Sequence, residues 1–120
     1  LIWDDLRYFE KYEFICKCGC GRADMEYEFL KKLDGARHTA GFPFPINSGY
    51  RCPEHNNAVS GTGLDGPHTT GKAADLGLSY NGARKALTIL SETFSGIGLK
   101  QKGDSRFIHV DDLEPRIWTY

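Results

Sequence analysis

The chain has 120 residues, of which 40% are hydrophobic and 26% charged, and its formal net charge is -1. That length allows one domain, residues 1–120, with a single core, and the composition is ordinary for a soluble globular protein. A balance so near neutral, with no Lys/Arg stripe, excludes a nucleic-acid footprint, and no apolar run is long enough to cross a membrane. A monomer is expected.

Residues 1–13 read as a polar and aromatic lead-in packed on the domain, with Ile2, Leu6 and Phe9 at helical spacing. The stretch LIWDDLRYFEKYEF is charged where a signal peptide would carry a continuous apolar centre, so no conventional export signal is expected in these residues. Next, Cys16, Cys18 and Cys20 alternate in FICKCGCG, and the fourth cysteine is Cys52. Three readings are open. One is a disulfide from this run to Cys52, which needs an oxidising compartment. Another is a thiolate zinc site, although alternating cysteines do not follow the usual ligand-loop spacing. The third is a set of free buried thiols.

Asp24 reads as the N-cap of a helix that carries Met25, Phe29, Leu33 and Ala36 on one face and ends at Gly41. His38, near that end, is expected to be solvated and without a role. Two prolines hold FPFPINSGYR extended, with Ile46, Ser48 and Tyr50 alternating against Asn47, Gly49 and Arg51. A short helix from Pro53 follows, where His55 and Asn56 either line a rim or cap the turn. A second amphipathic helix, capped near Asn81, buries Ala83, Leu87, Leu90 and Phe94. GIGLKQKGDSRFIHVDD then reads as a hairpin with Lys102, Gly103 and Asp104 as its turn. The sum is an α+β domain, a small antiparallel sheet with helices on one face and an open cleft on the other.

Two strands carry the candidate chemistry. In AADLGLS, Ala74, Leu76 and Leu78 face one way and Asp75 and Gly77 the other; in RFIHVDD, Ile108 and Val110 point to the core while Phe107, His109 and Asp111 share the opposite face. His68 precedes them in a Gly- and Thr-rich loop that turns at Gly71. Adjacent strands would present Asp75 and His109 to one cleft, where His68 completes a set of three ligands. Zinc held by three protein groups keeps a fourth position for water, which distinguishes a catalytic from a closed structural site.

The ordered segments SGYR (Ser48 to Arg51), His68 with GKAAD ending at Asp75, and HVD beginning at His109 resemble the zinc D-alanyl-D-alanine carboxypeptidases and L-alanyl-D-glutamate endopeptidases. Those enzymes cut peptidoglycan stem peptides and share a fold with lysostaphin-type peptidases and the hedgehog domain. The resemblance implies Zn2+ on His68, Asp75 and His109, a peptidoglycan stem peptide as substrate, and action at the bacterial cell wall, in the periplasm or outside. A phage lysis enzyme or virion-associated wall hydrolase would suit a small chain without its own export signal. Arg51 would bind the substrate carboxylate or the developing oxyanion.

The family's general base stands three positions before the second zinc His as an acid, or two before it as a His. Here those positions hold Arg106 and Phe107. Asp111 is then the favoured base, with orientation of a zinc His as its other role; Asp104 is the runner-up and His55 comes next. Asp112, Ser48 and Tyr50 are expected on the faces away from the chemistry. The missing base favours one rival, a non-catalytic zinc module that binds wall peptide or a protein partner. A disulfide-stapled structural protein without metal is the other.

Overall fold

Alternation along two strands sorts the residues as expected. In β2 (Ala73–Leu76) and β4 (Phe107–Asp111), Ala74, Leu76, Ile108 and Val110 are buried in the hydrophobic core, and Asp75, His109 and Asp111 occupy the other face. These are features of a computed structural model that describes all residues from Leu1 to Tyr120. Between β1 (Ile46–Ser48), β2, β3 (Gly96–Lys100), β4 and β5 (Arg116–Thr119) the sheet order is β1-β2-β4-β3-β5. Every pairing is antiparallel except β3 with β5. The protein is an α+β domain.

Helices α1 (Tyr27–Ala40) and α3 (Tyr80–Thr93) pack on each other, and α3 lies against β3 and β4. Phe29, Leu30, Leu33 and Ala36 of α1 meet Ala83, Ala86 and Leu90 of α3 in one cluster, with the Phe29 and Phe94 rings 5.2 Å apart. A side chain as fully buried as Leu90 contributes about 1.5–3 kcal/mol by leaving water. The lead-in joins the same cluster through Phe9 and Phe14, with Ile2, Trp3 and Leu6 packed against it. The buried Asp34 carboxylate of α1 ties it down, accepting the Tyr8 backbone N–H at 3.0 Å and that of Arg7 at 3.1 Å.

Several local expectations are corrected. Helix α1 starts at Tyr27, because the Glu26 N–H donates to the Gly71 carbonyl at 2.9 Å and keeps the preceding residues extended. Asp24 pairs with Arg22 at 2.7 Å and does not cap it. The N-cap residue of α3 is Ser79, while Asn81 accepts hydrogen bonds from Arg84 inside the helix. Leu87 is only half-buried, and Ala86 takes its place in the core. The exposed His38 is not simply solvated, since its Nδ1 lies 2.6 Å from the Tyr8 hydroxyl. Strand β5 was not expected at all. A parallel partner cannot be joined by a tight hairpin, and RIWT lacks the flanking turn pair that betrays one. Finally, all four cysteines are free, with no two sulfurs bonded.

Candidate active site

The three candidate ligands come from a loop and two neighbouring strands. Asp75 and His109 are direct cross-strand partners in the β2–β4 register, and His68 lies in a single 3-10 turn, Pro67–Thr69, leading into β2. Asp75 Oδ1 is 2.9 Å from His109 Nδ1 and 3.3 Å from His68 Nε2. One atom from each residue falls within 4.8 Å of the others, and all three residues are buried. Donors about 2.0–2.1 Å from a tetrahedral zinc ion lie about 3.3–3.4 Å apart, so the group can close on such an ion with small adjustments.

The outer nitrogen of each imidazole is already committed. His68 Nδ1 lies 2.8 Å from the Gly49 carbonyl oxygen, which can only accept, so the proton sits on Nδ1 and Nε2 faces the group with its lone pair. His109 Nε2 donates to Asp111 Oδ2 at 2.7 Å, which leaves Nδ1 facing Asp75. Both rings are thereby held in the tautomer a cation needs. Burial would raise the Asp75 pKa, but the hydrogen bond with His109 and the nearness of the His68 imidazole outweigh it and hold the carboxyl well below the usual range. For His109, burial works toward a lower pKa, yet the bonds to Asp111 and Asp75 raise it above the ordinary imidazole value. Without metal the group therefore favours a proton at His109, and a bound cation would replace it.

Behind His109 lies an arrangement that spans three strands. Asp111 is fully buried; its oxygens accept from Arg116 Nη2 at 2.9 Å, Arg116 Nη1 at 3.2 Å and the Leu113 N–H at 3.1 Å, as well as from His109. Burial pushes this carboxyl up, and those donors bring it down overall. Arg116 and Trp118 stand on β5, on the far side of β3. They can reach β4 because the intervening partners are Gly96, paired with both Asp111 and Arg116, and Gly98, paired with both His109 and Trp118. A Cβ on Gly96 would lie 2.0 Å from Asp111 Oδ1, and one on Gly98 would lie 2.6 Å from the Trp118 indole. Gly96→Ala should accordingly push Asp111 off His109 and weaken metal binding by about 10- to 100-fold, measured by competition with a chromophoric chelator. Unchanged affinity in a folded variant would show that Asp111 does not orient the imidazole.

Arg51 also lies at the cleft, with its side chain 18% exposed. Its Nε donates to Ser48 Oγ at 3.2 Å and its Nη1 to Asn56 Oδ1 at 2.9 Å, while Nη2 is 3.7 Å from Asp75 Oδ2. Strict alternation had set Ser48 away from Arg51, but β1 ends at Ser48 and the chain bends after it. Asn56, in α2 (Pro53–Val59), is fully buried, and neither lines the rim nor caps the turn; its amide nitrogen donates to Thr62 Oγ1 at 2.8 Å and the Gly63 carbonyl at 2.5 Å. Tyr50 is buried with Arg22 over its ring.

Arg51, His68, Asp75 and His109 border a cleft of about 360 Å³ lined also by Phe107, Trp118 and Tyr120. Asp75 is the only carboxylate among the lining residues. Asp104 is exposed in the β3–β4 turn, and neither it nor His55 borders the cleft. Asp112 pairs with Lys32 at 3.2 Å on another groove, which holds no comparable ligand group. Sequence reasoning did not single out Arg116 or Trp118, and it named Asn56 without its contact to Arg51; for the β5 pair the Gly-x-Gly of β3 beside HVD was the one available signal, since alternate glycines clear a sheet face for large neighbours.

A buried His-Asp-His group, with its imidazoles oriented from behind and a guanidinium fixed beside it, is one that could hold a metal ion. The Peptidase M15 family model matches residues 7–111, and the chain belongs to that family. The family comprises metallopeptidases, with members that act on peptidoglycan, which accords with a cell-wall setting. No curated protein matches the chain. No helix is long and apolar enough to cross a membrane.

Proposed function

We propose that the protein is a zinc peptidase that hydrolyses peptide bonds in peptidoglycan stem peptides. The observation that carries this reading is the convergence of His68 Nε2, Asp75 Oδ1 and His109 Nδ1 beside Arg51 in a family of metallopeptidases. Three N and O donors suit Zn2+ and keep a coordination position for water. Zinc held there would supply a water of near-neutral pKa and polarise the scissile carbonyl. Arg51, braced by Ser48 and Asn56, is suited to receive a substrate carboxylate or the developing oxyanion. The aromatic wall of Phe107, Trp118 and Tyr120 would keep the peptide beside these groups and limit water.

Asp111 is assigned here the role of positioning residue. Its burial and its contacts with His109 and Arg116 support orientation of the imidazole over service as a general base in the cleft. Asp111→Asn should weaken zinc by about 10- to 100-fold, and excess zinc should recover much of the lost turnover. A base would behave otherwise, with zinc fully bound and turnover lost at every zinc concentration. Asp104, exposed in its turn, has less support as the base.

The setting we favour is a wall-lytic enzyme of a phage or of a virion, acting as a monomer. Mass spectrometry of digested muropeptides would identify the bond cut and separate carboxypeptidase from endopeptidase action. One observation favours a second reading: with Asp75 as the sole carboxylate lining the cleft, a non-catalytic zinc module would bind wall peptide without cutting it. Binding of muropeptides with no release of product is the result that would select it.

A further inference from the structure

We propose that Cys16, Cys18, Cys20 and Cys52 hold a second metal ion, a structural Zn2+ in an all-thiolate site. The sulfurs of Cys16 and Cys18 are 3.5 Å apart, those of Cys18 and Cys52 3.6 Å, and those of Cys16 and Cys52 3.7 Å. Cys20 belongs to the same group, all four sulfurs lying within 4.8 Å of one another. A disulfide needs about 2.05 Å between sulfurs. Thiolates about 2.3 Å from a tetrahedral zinc ion lie about 3.8 Å apart. The observed separations fit the second geometry and not the first.

The backbone explains how an irregular spacing reaches this arrangement. In an extended strand, residues 16, 18 and 20 would share a face but their side chains would stand too far apart to meet at one ion. Here the run is a tight turn, with Gly19 at φ +90° and Gly21 at φ +78°, and it closes where the Cys16 N–H donates to the Arg22 carbonyl at 2.8 Å. The three sulfurs are thus curled toward Cys52, whose backbone N–H donates to Cys16 Sγ at 3.3 Å, a bond that stabilises a thiolate. Cys16 and Cys52 are buried, while Cys18 and Cys20 cover the group from outside.

Four sulfur ligands leave zinc no open position, so this site would be structural and would not compete with the His-Asp-His group for catalysis. Uptake of Zn2+ by four thiols releases four protons and forms four zinc–sulfur bonds without any change of oxidation state. Its place in the fold gives it a purpose, because Cys52 directly follows Arg51. The ion would fasten the 15–22 segment to the chain at the point where the guanidinium enters the cleft.

The test uses the full chain, purified reduced and loaded with Co2+, and it is independent of the peptidase reading. Two metal equivalents are expected, together with intense near-ultraviolet thiolate-to-cobalt bands that an N and O site cannot produce. Cys18→Ser with Cys20→Ser, both exposed positions, should lose those bands and one equivalent; His68→Ala with His109→Ala should lose the other equivalent and keep the bands. In protein purified with its native metal, zinc should account for both ions. Absence of thiolate bands from the cobalt-loaded chain, disulfides in the intact mass of the unreduced protein, or iron at the cysteine site would each overturn the proposal.

Discussion

His109→Ala should strip the His-Asp-His site of its metal and reduce hydrolysis to background. Removing Nδ1 leaves His68 and Asp75 as a two-ligand site, and it also leaves the Asp111–Arg116 pair without the imidazole it holds. Metal polarisation of a carbonyl is worth several kcal/mol of barrier, so the loss of turnover should exceed about a thousandfold. His68→Ala should do the same, with the Gly49 carbonyl losing its donor. If the two imidazoles serve only as hydrogen-bond partners of a buried carboxylate, the outcome is different. Either variant would then be destabilised, by up to about 3–5 kcal/mol, through loss of one partner of the buried Asp75 carboxylate, with no change in bound metal. Metal content at the His-Asp-His site and a denaturation midpoint, measured on the same preparations, separate the two.

Arg51→Lys should cost about 100- to 1,000-fold in kcat, the range seen when a donor to a developing oxyanion is removed. Charge is conserved in this substitution, so a loss of that size would come from geometry. The guanidinium meets Ser48 with Nε, Asn56 with Nη1 and the Asp75 side with Nη2, all at once. A lysine ammonium is a point charge on a flexible stem and cannot reproduce that fork. An effect confined to KM would indicate a carboxylate clamp bound equally in ground and transition states. Full activity with the fold intact would reduce Arg51 to a structural ion pair.

The residues that periodicity can address were legible in the chain. Asp75 and His109 fall on one face because side chains alternate along a strand, and their neighbours Ala74, Leu76, Ile108 and Val110 fill the other face as apolar residues must. His68 was found through its place in an ordered set of motifs, since a loop carries no periodicity. What stayed hidden depends on contacts between segments distant in the chain. Nothing local to EPRIWTY announces that Arg116 and Trp118 will cross two glycines of β3 to reach Asp111 and His109. Asn56 sits in a short polar helix whose sequence suits a surface, yet the Arg51 guanidinium and the 60–63 turn enclose it. The role of Asp111 followed the same rule: its strand face could be read, but the direction of its carboxylate was set by Arg116 from β5.

The most direct test of the account is release of new amino groups from purified peptidoglycan by the full chain, before and after removal of metal with a chelator. Amino groups should appear with the native protein, cease after chelation, and return on addition of Zn2+, while the His109→Ala variant releases none under any condition. Undiminished release by the His109→Ala variant, or no release by zinc-replete native protein that binds the same peptidoglycan, would contradict it.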